Sequence, residues 1–136
     1  MGLHAHAKWL GIAGLTPFWF LPAAVFAGLL PADQVSLPFL IYSGLILSFL
    51  GGVHWAQGVI NGHNPGQTYV AMLPTIWAWL SLLLLPYHWA LISLGFGLVA
   101  VLLYDLKTLE PPQGYWALRF TLTGVALIGH LAMLLL

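Results

Sequence analysis

The chain has 136 residues and no formal net charge; 61% of its residues are hydrophobic and only 4% are charged. A soluble domain carries roughly 25% charged side chains, so this composition excludes an ordinary water-exposed surface, and three Lys and Arg residues exclude a nucleic-acid-binding face. The absence of cysteine excludes disulfides, thiolate metal sites and cysteine nucleophiles.

Five apolar runs follow one another along the chain, separated by short polar or proline-containing connectors. A helix needs about 20 apolar residues to cross the hydrocarbon layer of a membrane. The runs predict spans at about residues 9–30, 37–60, 69–85, 89–104 and 115–136. We therefore expect an all-α membrane protein in contact with the lipid bilayer, in which five transmembrane helices form a bundle and one domain over residues 1–136. The connectors leave no room for a soluble catalytic domain, so we expect that the protein is not an enzyme.

The three cations fall on one side of the predicted bundle. Lys8 precedes the first span, Lys107 lies between the fourth and the fifth, and Arg119 lies near the start of the fifth. Cytoplasmic loops of membrane proteins are enriched in Lys and Arg. We therefore predict that the N-terminus and the connectors at residues 61–68 and 106–114 are cytoplasmic, and that the C-terminus lies on the opposite side.

The second predicted span carries three glycines that recur every seven residues. At about 100° per residue, they share one helix face with a serine and a tryptophan. We name this face the glycine seam; its residues are Gly44, Ser48, Gly51, Trp55 and Gly58. Small residues let helix backbones approach closely in lipid, where helix association depends on van der Waals contact. The seam therefore predicts that another helix packs against the second span.

Four polar side chains are predicted to lie in the inner leaflet, and we name them the polar cluster: His54, Gln57, Asp105 and Arg119. His54 lies beside the glycine seam, about 9 Å from the predicted cytoplasmic end of its helix. Asp105 and Arg119 lie at the same level, where the fourth span ends and the fifth begins. Polar groups inside spans often mark functional sites, which favours a hydrogen-bonded network with His54 as its titratable member. The alternative is structural, with charges that reach the headgroups and a histidine that ties two helices together.

The other histidines and the aromatic residues give no prediction of a metal or a cofactor. Four histidines lack ligand spacing on any one helix: His4, His6, His63 and His88. His54 and His130 differ in depth by about 16 Å, which is too far for both to bind one haem iron. The rings of Trp77 and Trp79 would suit a quinone or a pigment, but aromatic packing without a cofactor is the commoner use of such rings.

Three stretches of the sequence resemble a known family: "YSGLILSFLGGVHWA", "LPTIWAWLSLLLLP" and "YWALRFTLT". The chain resembles domain-of-unknown-function family 3429, the transmembrane protein 69-like small multipass membrane proteins, over nearly its whole length. The resemblance implies a bacterial inner-membrane or mitochondrial multipass module with no assigned activity. It also implies that the position of His54 is able to carry Arg, which suits a hydrogen-bond donor better than a metal ligand. Because the sequence shows no arginine-rich presequence, we expect the bacterial inner membrane.

These features leave three functions open. The glycine seam and the lack of reactive chemistry favour a non-enzymatic packing or accessory module of a homo-oligomer or of a larger membrane complex. The polar cluster favours, as an alternative, a small transporter or proton-linked channel. The second alternative is a quinone- or haem-associated redox subunit.

Overall fold

The computed structural model describes residues 2–62 and 64–136, so His63 lies outside the described residues. Over those residues the chain is helical, without a β-strand. The helices are α1 Ala5–Ala13, α2 Thr16–Phe26, α3 Ala32–Asn61, α4 Pro65–Val70, α5 Leu73–Leu84, α6 Tyr87–Thr108 and α7 Tyr115–Leu134. They give five stretches long and apolar enough to cross a membrane: Ala5–Phe26, Ala32–Asn61, Pro65–Leu84, Tyr87–Thr108 and Tyr115–Leu134. The prediction of an all-α protein with five transmembrane helices is confirmed.

The first span consists of two helices, α1 and α2, joined by a turn at Gly14 and Leu15. Pro17 lies in the first turn of α2, where its missing N–H costs nothing because no intrahelical acceptor is available there. Pro22 lies inside α2 and cannot donate to the Phe18 carbonyl one turn before it. The first span is therefore divided at Gly14 and Leu15, before Pro17, whereas α2 continues through Pro22.

The third span is also divided, into α4 and α5, with a turn at Ala71 and Met72. Asn64 caps α4, since its side chain accepts a hydrogen bond from the Gln67 backbone N–H at 3.3 Å. Pro65 and Pro74 occupy the first turns of α4 and α5, where proline is tolerated. The span begins at Pro65, four residues before the predicted start at Tyr69, because the Asn-Pro pair starts a helix inside the predicted connector.

The described residues form two compact units. The first unit contains residues 2–39 and 102–136, and the second contains residues 40–62 and 64–101. In the first unit, α1 and α2 run beside α7 in the same direction: Gly11 faces Leu118, and further along Gly129 faces the Phe18 carbonyl. The Leu3 N–H donates to the Gln113 carbonyl at 2.9 Å, so the start of the chain lies against the connector between α6 and α7.

The second unit joins the later part of α3 to α4, α5 and the earlier part of α6. Its core is aliphatic: Leu47, Leu91, Leu94 and Leu98 are all almost fully buried. Gly97 lies so close to the Leu47 side chain that a Cβ atom at this position would approach it to 2.7 Å. Large apolar side chains face outwards along the described helices, as the lipid phase of a membrane requires.

Candidate functional site

An ion pair inside the first unit is its strongest polar feature. Arg119 Nε donates to Asp105 Oδ2 at 2.8 Å, and both residues are only 2% exposed. Arg119 Nη1 donates to the Thr123 hydroxyl one turn further along α7. The third nitrogen, Nη2, is buried and has no hydrogen-bond partner among the described residues. A buried charge that is paired on two of its three nitrogens costs far less than an isolated one, but the third nitrogen retains its desolvation cost.

The local sequence explains why these two charges meet. Asp105 lies one turn before the end of α6, and Arg119 lies one turn after the start of α7. The connector between them returns the chain at Gly114, whose φ of 91° is unfavourable for any residue with a Cβ atom. Tyr115, the first residue of α7, also interacts with both charges. The charges therefore lie near one end of the first unit rather than in its middle.

A second buried polar contact lies inside the second unit. The Gln67 side-chain N–H donates to His54 Nδ1 at 2.9 Å, and the two residues are 9% and 1% exposed. The contact ties α3 to α4, because Gln67 lies in the first turn of the short helix that Asn64 caps. Sequence reasoning missed Gln67, although the Asn64-Pro65 pair signals a helix start and places Gln67 within its first turn.

The polar cluster has members in both units. Asp105 and Arg119 pair in the first, whereas His54 belongs to the second and bonds to Gln67. Gln57, one turn from His54 in sequence, is exposed and accepts a hydrogen bond from Asn61 at 2.7 Å. An exposed amide near a helix end satisfies its hydrogen bonds with a neighbour on its own helix, so Gln57 is not the glutamine that His54 contacts.

Four of the five residues of the glycine seam lie against α4 or α5. A Cβ atom at Gly51 would approach the Ala71 carbonyl to 2.7 Å, and one at Gly58 would collide with the Thr68 hydroxyl. Gly44 lies beside Leu82, where a Cβ atom would come within 3.0 Å. Ser48 and Thr75 share a hydrogen bond of 2.7 Å. The fifth residue, Trp55, is 48% exposed.

A third polar residue, His130, is buried in an aromatic setting inside the first unit. Its Nδ1–H donates to the Ala126 carbonyl at 2.6 Å. The rings of Phe18 and Phe39 lie 5.7 and 5.0 Å from the imidazole, measured between ring centroids. Such a ring fills space between helices as an aromatic side chain would. Within the described parts of the chain, no group of three His, Asp or Glu side chains is arranged to hold a metal ion.

Further hydrogen bonds between helices involve two serines and a tryptophan of α5 and α6. Ser81 on α5 and Ser93 on α6 share a bond of 2.7 Å, and the Trp77 indole N–H donates to the Ser93 carbonyl at 2.9 Å. The Trp77 ring also packs at Gly97, where a Cβ atom would come within 3.1 Å of it. Trp77 is thus held by protein contacts along one edge.

The long apolar helices, and the pairing of polar side chains between them, define a multipass helical membrane protein. The chain belongs to the family described as "Protein of unknown function (DUF3429)", whose pattern matches residues 3–135, as the sequence motifs predict. It is 33% identical over 136 aligned positions to Transmembrane protein 69 of Xenopus tropicalis. The alignment covers 92% of this chain and 53% of that protein, so the chain spans about half the length of this curated relative. No solved structure matches the chain.

Proposed function

We propose that this protein is a non-enzymatic helical module that assembles with itself or with a larger membrane complex. The proposal rests on one observation: polar side chains inside the spans form contacts with side chains of neighbouring helices. Within the units, four contacts between polar side chains join one helix to another: Asp105 with Arg119, His54 with Gln67, Ser48 with Thr75, and Ser81 with Ser93. Side chains that bond to each other between helices stabilise helix packing, and we propose this role for them rather than that of nucleophiles or general bases.

Two glycines support the assembly part of the proposal. A Cβ atom added at Gly52 on α3, or at Gly124 on α7, would meet no atom of its own unit within 4 Å. Glycine in an exposed helix interior costs about 1 kcal/mol relative to alanine, so a glycine that contacts nothing within its own unit calls for a reason. Close approach of a helix from another chain is such a reason, because small residues promote helix contacts in lipid.

Substitution of these glycines tests assembly directly. We expect Gly52→Leu or Gly124→Leu to lower the particle mass in mild detergent, measured by light scattering, because the larger side chain holds the second chain away. The matched control is Ala100→Leu, which makes a similar change at an exposed position of α6 and should leave the mass unchanged. An unaltered mass in both glycine variants, or an equal loss in the control, would contradict the proposal.

The buried ion pair favours a second candidate, a small transporter or proton-linked channel. Ionisable residues inside membrane spans often line ion or substrate pathways, and Asp105 is 2% exposed inside α6. If this candidate is correct, proteoliposomes with the unaltered protein conduct protons, and Asp105→Asn abolishes the flux while Gly124→Ala does not. Liposomes that remain proton-tight with the unaltered protein would eliminate it.

We also propose that the membrane is a bacterial inner membrane and that the N-terminus is cytoplasmic. The support is the position of the cations in the first unit: Lys8, Lys107 and Arg119 lie toward the end where the chain start contacts Gln113. Cationic ends face the cytoplasm in inner-membrane proteins. The Xenopus relative comes from a eukaryote and therefore does not indicate a bacterial membrane. Fractionation of the source cells tests which membrane contains the protein.

A further inference from the structure

We propose that His4 makes the start of the first span sensitive to pH, because its imidazole caps α1 only while the ring is neutral. The starting observation is a hydrogen bond of 3.2 Å from the Ala7 backbone N–H to His4 Nδ1. The backbone of His4 is extended, with φ of −74° and ψ of 153°, as is usual for the residue that precedes a helix. Ser, Thr, Asp and Asn are the common residues at this position. A histidine there adds a group that gains a proton near neutral pH.

The role of Nδ1 as an acceptor fixes the protonation state of the ring. A neutral imidazole carries one N–H, so a ring that accepts at Nδ1 carries its proton on Nε2. A second proton binds to Nδ1, and the protonated ring then donates from both nitrogens and accepts from neither. The proton and the Ala7 N–H therefore compete for one lone pair. Because His4 is exposed, the proton reaches it without any opening of the protein.

The charges near this end of the first unit act in the same direction. Titratable or charged side chains on α1, on the end of α6, on the connector and on α7 are His6, Lys8, Lys107, Glu110, Tyr115 and Arg119. The first turn of α1 contains no acidic residue, and within residues 2–62 and 64–136 no carboxylate forms an ion pair with His4. A positive charge at a helix N-terminus is unfavourable, because the helix dipole already places partial positive charge there. Protonation thus replaces a hydrogen bond with a repulsive charge.

The position of His4 determines which part of the first unit responds. The Leu3 N–H donates to the Gln113 carbonyl at 2.9 Å, and the Lys8 N–H donates to the His4 carbonyl at 3.4 Å. His4 therefore joins the segment that contacts the connector to the first turn of α1. The contact of Gly11 with α7 lies about two turns further along the helix. Protonation weakens the first turn and the segment before it, while the later part of α1 remains against α7.

The cap of α4 shows how the pH sensitivity can be removed. The Asn64 side chain accepts a hydrogen bond from the Gln67 backbone N–H at 3.3 Å, with the same spacing of three residues as between His4 and Ala7. An amide oxygen accepts this bond without gaining or losing a proton between pH 5 and 8. The variant His4→Asn therefore retains a cap and loses the titratable group. His6→Asn is the matched control, because it removes the neighbouring imidazole and leaves the cap in place.

Hydrogen–deuterium exchange of the protein in a lipid nanodisc, measured by mass spectrometry at pH 5 and pH 8, tests the proposal. The rates are corrected for the intrinsic pH dependence of amide exchange. We expect protection of the amides in the first turn of α1 to be roughly fivefold lower at pH 5 than at pH 8, which is the effect of one lost cap. His4→Asn should show the same protection at both pH values. His6→Asn should show the fall that the unaltered protein shows.

Three results would overturn the proposal. The first is equal protection of the unaltered protein at pH 5 and pH 8. The second is a full pH-dependent fall in His4→Asn, which would place the titrating group elsewhere. The third is loss of the pH dependence in His6→Asn, which would assign the effect to the other imidazole. The readout is local to the first turn of α1, so it does not depend on whether the protein assembles with other chains.

Discussion

The burial of Asp105 and the burial of Arg119 depend on each other, because both charged side chains are almost fully removed from water inside the first unit. Taking a charge out of water costs several kcal/mol, and the 2.8 Å contact between Nε and Oδ2 offsets this cost only while both partners are present. A membrane increases this dependence, because the surrounding hydrocarbon offers no alternative hydrogen-bond partners. The pair therefore fixes the geometry of the α6–α7 end more than it adds net stability.

The dependence predicts a strongly non-additive pair of substitutions. Arg119→Gln should lower the free energy of unfolding by about 3–5 kcal/mol, because it leaves the Asp105 carboxylate buried without its cation. Asp105→Asn/Arg119→Gln should lose much less, since two neutral amides replace two charges. Denaturant titration in mixed micelles measures both values. A double variant that loses as much free energy of unfolding as Arg119→Gln alone, or more, would contradict the paired role.

His54 and Gln67 form the equivalent contact in the second unit, and a comparison of two glutamines tests it. Gln67→Leu should lower the free energy of unfolding and show a coupling energy with His54→Leu of about 1 kcal/mol, the usual size for hydrogen bonds within membranes. Gln57→Leu is the control, because this exposed side chain bonds to Asn61 instead. A coupling of His54 to Gln57 rather than to Gln67, in the same double-mutant cycle, would refute the contact.

Helix periodicity in the sequence predicts the direction of a side chain but not its hydrogen-bond partner. Periodicity placed His54 beside the glycine seam, and the ring is 1% exposed. It did not supply Gln67, because the contact spans 13 residues and depends on how α4 begins after Asn64. A pattern along one helix shows which way a side chain points, but its partner depends on where the next helix starts.

Proline and glycine act together where helices come closest. Pro22 has no N–H to donate to the Phe18 carbonyl, and Gly129 on α7 approaches this carbonyl so closely that a Cβ atom would collide with it. In the second unit, Gly51 approaches the Ala71 carbonyl, which lies at the turn between α4 and α5. An interrupted helix thus presents a backbone carbonyl to a neighbour, and only glycine leaves enough room for it.

Two adjacent glycines of α3 provide a test of this close packing. Gly51→Ala should destabilise the protein by about 1–3 kcal/mol, because the new methyl group would lie 2.7 Å from the Ala71 carbonyl unless the backbone shifts. Gly52→Ala should be neutral or stabilise by up to about 1 kcal/mol, since a Cβ atom there meets nothing in its unit within 4 Å and alanine favours helix. Unfolding in mixed micelles compares the two. A Gly51→Ala variant as stable as Gly52→Ala would disprove the contact.

At the scale of elements, the five spans followed from apolar run length alone, because a helix that crosses hydrocarbon has a minimum length. The breaks at residues 14–15 and 71–72 did not follow from that length. Pro17 and Pro74 signal them, since each lies in the first turn of the helix that follows the break. A proline inside an apolar run fits both a kink and a new helix start, and the surrounding packing decides between them.

The orientation of the whole molecule is testable because the chain contains no cysteine. The connectors after α2 and before α7 lie toward opposite ends of the first unit, since α2 runs in the same direction as α7. We expect Glu110→Cys to be labelled from the cytoplasmic side and Leu29→Cys from the opposite side. A membrane-impermeant maleimide applied to intact and to permeabilised cells gives the readout. Labelling of Glu110→Cys in intact cells would reverse the orientation.

The mass of the unaltered protein, released from its own membrane into a mild detergent or a lipid nanodisc, tests the assembly role most directly. Mass spectrometry under native conditions resolves one chain from several chains and from a complex with other proteins. The assembly role predicts a particle that contains more than one protein chain. A single chain without any protein partner, extracted under conditions that preserve known complexes of the same membrane, would contradict it.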